Sequence, residues 1–231
     1  MSASKFLTLD IKENIAMNAR LDAAINQIIQ ARRIVTSERA VLVAITGIDG
    51  CGKGYITRQI AHVLETQGLR IATINIDGWL NLPPVRFSQS HPAEHFYHHA
   101  FRFEQMFSQL VLPLRQGRSL RLEADFTEET AIDYRRHRYE FEAIDIILLE
   151  GIYLLKRQFQ TYYDLSFWIE CRFETALQRA INRAQEGLSP EATVAAYQTI
   201  YFPAQAIHFQ RDTPHLAATL MINNDGSANL R

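Results

Sequence analysis

The clearest chemistry in the sequence lies in Gly47-Ile48-Asp49-Gly50-Cys51-Gly52-Lys53, which has the spacing G-x-x-x-x-G-K. Glycines in such a loop let backbone N–H groups turn inward around phosphate oxygens. A helix that begins at the loop adds its unpaired N–H groups and positive dipole end. Lys53 supplies a compact charge for the β- and γ-phosphates. The stretch from Gly47 through Tyr55 is thus expected to hold a nucleoside triphosphate, ATP. One position departs from the pattern: a Ser or Thr hydroxyl after the lysine would bind Mg²⁺, and here Gly54 stands there. Thr57 is about one helical turn further on, too far to take over that bond. Phosphate binding is therefore better specified than metal positioning. Cys51 reads as a small filler, although its place at a helix N-terminus would lower a thiol pKa.

Two acids follow apolar runs. Asp77 comes after Ile74-Asn75-Ile76, and Glu150 after Ile146-Ile147-Leu148-Leu149. An apolar strand ending in an acid suits a phosphoryl-transfer site, where carboxylates hold hydrated Mg²⁺. An acid facing the γ-phosphate can also accept the proton of an attacking hydroxyl. Arg179 and Arg183 share one helix face at i and i+4. Arg86, Arg135 and Arg136 are candidate anchors for an anionic or polyhydroxyl substrate. His95, His98 and His99 have a spacing that could cluster imidazoles, but without partners a polar helix face is the better reading. Trp79 and Trp168 read as packing residues.

These residues need elements to position them. Leu21, Ile25, Ile28 and Ile29 recur at helical spacing in the first segment, which ends near Thr36-Ser37. Val41 to Thr46 is a continuous apolar run, the mark of a strand buried on both faces. A helix follows with Ile56, Ile60, Val63 and Leu64 on one side, ended by Gly68, and then a strand over Leu69 to Ile76. Pro83-Pro84 breaks the chain. A helix is expected from His91-Pro92 through Phe101, Phe103, Met106, Phe107 and Leu110, and a hairpin arm over Leu120 to Phe126. Strands are expected at Ile144 to Leu149, Leu165 to Ile169 and Thr219 to Ile222, with a short helix around Leu154 to Phe159. Phe173, Ala176, Leu177, Ala180 and Ile181 stripe a further helix, and Ser189-Pro190-Glu191 opens another. Strands alternating with helices imply an α/β fold, a parallel sheet covered on both faces.

Composition agrees with one such unit. The chain has 231 residues, 47% hydrophobic and 21% charged, enough for a full core. A net charge of −1 offers no basic field for nucleic acid. Its two cysteines, Cys51 and Cys171, have no disulfide or zinc spacing, which suits a reducing, cytoplasmic setting. The first residues lack the apolar stretch of a signal peptide, and no run is long enough to span a membrane.

The order of phosphate loop, Asp77-Gly78-Trp79, His91-Pro92, Glu150-Gly151-Ile152-Tyr153 and Arg179-x-x-x-Arg183 resembles the uridine kinase, phosphoribulokinase and pantothenate kinase group. The resemblance runs from about Val41 to Asn224, with Tyr197, Pro203, His208 and Pro214 in a similar tail. It implies a P-loop kinase fold over residues 39–231, with a five-stranded parallel sheet, a small hairpin excursion and a helical lid. Residues 1–38 would form a helix packed on that domain or on a partner, which leaves a homo-oligomer open. The implied activity is ATP-dependent phosphorylation of a small-molecule hydroxyl, with a nucleoside as first choice and pantothenate or a sugar phosphate as alternatives. Asp77 would be the base, Glu150 with Asp77 would hold Mg²⁺, and Lys53, Arg179 and Arg183 would neutralise the transferring group. In that group the segment of His91 and His95 lines the acceptor site; Phe126, with the candidate anchors Arg86, Arg135 and Arg136, is a further expected substrate contact. Three positions depart from uridine kinases: Ala184 and Ser90 stand where those enzymes carry aspartate, and the hairpin lacks their Pro-x-Tyr. The loop also resembles that of thymidylate kinases, but the Asp-Arg pair of those enzymes is missing. A regulatory protein that binds nucleotide with little turnover is the reading from another class.

Overall fold

A computed structural model describes residues 20–185 and 187–226. Helix α1 covers residues 20–34. It leads to β1 (Val41–Gly47), the phosphate loop, α2 (Lys53–Thr66), β2 (Ile71–Asn75) and a 3-10 turn (Ile76–Trp79). Two short helices follow, α3 (Pro83–Arg86) and α4 (Pro92–His99). A helical rod then runs through α5 (Phe103–Met106), a π turn (Phe107–Val111) and α6 (Leu112–Gly117). The hairpin β3 (Leu120–Phe126) and β4 (Arg135–Phe141) precedes β5 (Ile146–Gly151) and β6 (Leu165–Glu170). Next come α7 (Phe173–Arg183), α8 (Pro190–Ala196), a π turn (Tyr197–Tyr201), α9 (Phe202–Asp212), α10 (Pro214–Ala217) and β7 (Leu220–Asn223).

Five strands form one parallel sheet in the order β2-β5-β1-β6-β7, while β3 and β4 make a separate antiparallel ribbon. Side chains alternate across a strand, and here both faces are covered. Val41, Val43 and Ile45 share one core with Leu21, Ala24, Ile25 and Ile28 of α1 and Ile56, Ile60 and Leu64 of α2. Leu42 and Ala44 share the opposite core with Ile147, Leu149, Trp79, Phe107 and Leu110. This is why β1 is apolar from Val41 through Ile45. The fold is the α/β sandwich with a hairpin excursion that the pattern implies. Residues 1–19 of the leading segment lie outside the described residues.

Three local readings need correction. The helix expected from His91 to Leu110 is two helices, because residues 100–102 pair with the chain before α3. Asn81 N donates to the Ala100 carbonyl at 2.8 Å, and Arg102 N to the Trp79 carbonyl at 2.9 Å. The apolar periodicity continues on both sides of the break, so the sequence conceals it. The helix expected at Leu154 to Phe159 is a set of turns, closed by bonds from Lys156 N to Tyr153 O and Phe159 N to Lys156 O, with a 3-10 turn at Gln160–Tyr162. Pro83 and Pro84 open α3 rather than break it, since a fixed φ suits the first helical turn.

A polar cluster fastens the sheet's far edge. Asp164, just before β6, accepts from Arg39 Nη1 and Nη2 at 2.8 Å each, from Arg115 Nη2 at 3.0 Å and from Leu42 N at 2.9 Å.

Candidate active site

Strand register gathers the chemistry. β1 is central, pairing Ile45 with Glu150 and Thr46 with Gly151 on one side and Gly47 with Ile169 on the other. Asn75 pairs with Glu150. The loop after β1, Asp77 after β2 and Glu150 in β5 therefore emerge along one carboxyl edge, where open α/β sheets bind ligands. A cleft of ≈ 810 Å³ opens there, and Gly50, Lys53, Asp77, Glu150, Arg179 and Arg183 all line it.

Two glycines of the loop have no room for a side chain. Gly50 and Gly52 have φ of 75° and 92°, conformations that favour glycine. A Cβ at Gly50 would strike the Ala176 carbonyl, and one at Gly52 the Asn224 amide. A glycine loop in this conformation, running into the start of α2 with Lys53 beside it, fits the phosphates of a nucleotide. Lys53 Nζ donates to the Ile48 carbonyl at 3.0 Å. Burial works against its charge, but Cys51 and the acids Asp49, Glu150 and Asp77 raise its pKa. Asp49 accepts from Gly50 N at 2.8 Å and from the Tyr197 hydroxyl. Burial opposes its ionisation, yet Arg183, Lys53 and these two bonds hold it below its ordinary value. Burial pushes the Cys51 thiol up, not down as a helix N-terminus alone would have it.

Asp77 begins the turn after β2, where the Asn75 side chain accepts from its N–H at 2.8 Å. Burial and then the Asp49 carboxylate raise its pKa, against Lys53 and Arg183. Burial also pushes Glu150 up, to about 7, with Asp77 and Asp49 adding to it and Lys53 and Arg58 opposing. Crowded, desolvated acids of this kind are what a divalent cation neutralises. Mg²⁺ is held through one or two carboxylates plus substrate phosphates rather than an all-protein cage. The pair fits that mode, and among the described residues no group of three or more metal-type side chains occurs. What is missing is the hydroxyl after Lys53. Over Gly54 lie Arg58 Nη1 and Glu150 Oε2, 3.6 and 3.7 Å from where a Cβ would stand.

The two arginines of α7 turn toward the loop. Arg179 donates to the Cys51 carbonyl at 3.2 Å and to the Gly226 carbonyl at 3.0 Å, while Arg183 lies 3.6 Å from Asp49. Helix α7 stops at Ala184, whose φ is 50°.

The other residues singled out in the sequence are not brought to the cleft lining. Arg86 is buried, gives Nη2 to the Glu129 carbonyl and stacks on Phe87. His91 is exposed and meets Ser90 Oγ at 3.0 Å. His95 Nε2 meets the Val85 carbonyl at 2.9 Å. Phe126 packs on Gly78, next to Asp77, with Arg135 over its ring at 4.3 Å. Arg135 and Arg136 form exposed ion pairs with Glu128 and Asp125, each 3.0 Å. The lining instead takes in residues that pattern reasoning passed over, among them Arg58, Tyr153, Tyr201 and Gln205. Arg58 had a signal, one turn along α2 from Gly54. Gln205 has none, being a lone amide on a helix with no motif around it.

Comparison with known proteins follows the same line. The family model for the phosphoribulokinase / uridine kinase family matches residues 42–206. No curated protein matches the sequence. Among solved structures, a possible uridine kinase from Bacillus stearothermophilus superposes with a TM-score of 0.67 at 17% identity, over 89% of this chain and 98% of that one. A candidate fructose transport system kinase from Silicibacter sp. TM1040 gives 0.65 at 20% identity, over 87% and 98%. A D-glycerate 3-kinase from Cryptococcus neoformans var. grubii serotype A gives 0.58 at 15%, over 82% and 87%. At such identities the likeness is one of fold, and the family match carries the assignment. The chain belongs to the phosphoribulokinase/uridine kinase family and is a P-loop kinase.

Proposed function

We propose that this kinase transfers the γ-phosphoryl group of ATP to a hydroxyl of a small molecule, in the manner of a uridine kinase acting on a nucleoside. The observation that supports it is the meeting of Asp77 and Glu150 with the phosphate loop in one cleft. The loop amides and Lys53 would hold the nucleotide. Asp77 would accept the proton of the attacking hydroxyl, which must be in hydrogen-bond reach of it. Arg179 and Arg183, already turned to the loop, would spread over the developing charge on the transferring group. Mg²⁺ arriving with ATP would be held by Glu150 and Asp77 and would neutralise the β- and γ-phosphate oxygens. Among the described residues no helix is long and apolar enough to cross a membrane. Buried free thiols at Cys51 and Cys171 suit the reducing cytoplasm, where ATP is abundant.

ATP and Mg²⁺ incubated with a panel of nucleosides, pantothenate, sugars and sugar phosphates should give acceptor-dependent ADP. Tight ATP binding with no acceptor-dependent ADP across the panel would favour the second reading, a nucleotide-binding regulator, for which Gly54 is the supporting feature.

A further inference from the structure

Two side chains in the cleft are buried and polar yet bonded to nothing. Gln205, on α9, and Tyr153, just after β5, are each 1% exposed and line the cleft. Neither amide atom of Gln205 nor the Tyr153 hydroxyl finds a hydrogen-bond partner among the described residues. Native proteins rarely leave such groups unmatched, because they lose water and gain nothing in return. Tyr153 is moreover a bulky residue held at φ 59°, a conformation that persists where surrounding structure imposes it. Its ring is wedged edge-on against Tyr97 at 5.5 Å and His208 at 5.4 Å. His208 is one turn along α9 from Gln205, so the hydroxyl and the amide approach from neighbouring parts of one wall.

The chemistry of that wall limits what it can take. An amide offers two donors and an acceptor, and a phenol one of each. Hydroxyl groups, which both donate and accept, are the natural complement. The cations of the lining, Lys53, Arg58, Arg179 and Arg183, come from α2 and α7. The elements around Gln205 and Tyr153 contribute Phe96, Phe101 and Tyr201 to it and no cation. Phe96 and Tyr201 form an edge-on pair at 5.0 Å, an apolar surface for the body of a sugar or base. Glu129, which also lines the cleft, faces the Arg86 guanidinium and accepts from Gln185 Nε2 at 3.4 Å, so it adds no free charge to that wall.

We infer that Gln205 and Tyr153 form the acceptor-recognition pair, and that the acceptor is an uncharged polyhydroxyl compound such as a nucleoside or free sugar rather than a carboxylate or sugar phosphate. The inference rests on the kinase reading above and narrows it.

The test is calorimetric binding of uridine, D-ribose, D-fructose, D-glycerate and ribulose 5-phosphate to the ADP-loaded protein, run beside the ADP-release assay. A neutral probe should bind and the two anions should not. Gln205→Met should weaken that probe at least about tenfold and leave ADP affinity within about twofold. With its orphaned amide gone, the apo variant should also melt about 2–4 °C higher. Tyr153→Phe, which keeps the ring, should weaken the probe about fivefold. An anionic acceptor that drives ADP release and keeps its affinity in Gln205→Met would overturn the inference and leave the kinase reading standing. A neutral probe whose affinity falls in Gln205→Met without ever driving ADP release would sink the kinase reading, and the acceptor role with it, while leaving the pair as a neutral-ligand site. Failure of every neutral probe to bind the wild type would overturn the inference.

Discussion

Asn224, one residue beyond the last strand, donates its side-chain N–H to the carbonyl of Cys51 in the phosphate loop at 2.7 Å. Its own N–H is fixed to the Glu170 carbonyl at 2.8 Å, so the end of β7 is pinned to β6 and then to the loop. Arg179 reaches the same Cys51 carbonyl from α7. The cradle is thus held from outside by two elements far away in sequence. Asn224→Ala should lower stability by about 1 kcal/mol, the net worth of one hydrogen bond, since the Cys51 carbonyl keeps Arg179 as a donor. It should also weaken ATP binding about fivefold or more, because the loop amides lose their fixed aim. Urea melts and a fluorescent-nucleotide titration measure both, and unchanged affinity would mean that the loop holds its shape unaided.

Gly54 can be repaired. A Cβ there meets only Arg58 Nη1 at 3.6 Å and Glu150 Oε2 at 3.7 Å, ordinary contact distances. Gly54→Ser should therefore fold as the parent does, and its hydroxyl should lower the Mg²⁺ concentration for half-maximal ATP binding, by about threefold or more. Arg58→Ala combined with it should extend the gain by removing a competing cation beside Glu150. The readout is nucleotide affinity across a Mg²⁺ series. A serine variant with the parent's Mg²⁺ dependence would show that the hydroxyl has no role in this chain.

Much of this was legible in the sequence, for local reasons. The phosphate loop is seven contiguous residues whose glycines answer to backbone geometry, and Asp77 and Glu150 close apolar runs that are recognisable one at a time. Burial of β1 on both faces could be read because five successive positions, Val41 through Ile45, are apolar. The acceptor wall could not be read this way. Gln205 sits far along the helical run that Ser189 caps, and it shares a wall with Tyr153 only because α9 places His208 against the Tyr153 ring. Two expected substrate contacts lie outside that wall with partners of their own: His95 has the Val85 carbonyl and Arg136 has Asp125. The break at residues 100–102 was hidden because both flanking helices bury similar aromatic faces.

Acid should loosen the fold at Asp164. Burial raises that carboxyl's pKa, but the Arg39 guanidinium, the Leu42 N–H and Arg115 outweigh it, so the folded value lies below the ordinary 3.8. A depressed carboxylate stabilises fully well above its unfolded value and stops doing so as pH falls through the folded one. Asp164→Asn should cost about 2–3 kcal/mol at pH 7, held to the lower side because Arg39 is partly exposed. The gap between variant and parent should close below about pH 4. Urea unfolding from pH 7 to pH 3 measures it, and a gap independent of pH would assign the effect to packing.

The central claim is that Asp77 acts as base in phosphoryl transfer from a nucleotide held by the loop. The direct measurement is a rapid-quench single turnover with γ-labelled ATP and the acceptor that the panel identifies, in parent and Asp77→Asn, with ATP affinity measured on both. Label should appear in the acceptor for the parent, the rate should fall at least about 10²-fold in the variant, and the two ATP affinities should lie within about twofold of each other. Transfer at the parent's rate by Asp77→Asn, or equal loss of transfer and ATP binding, would contradict it.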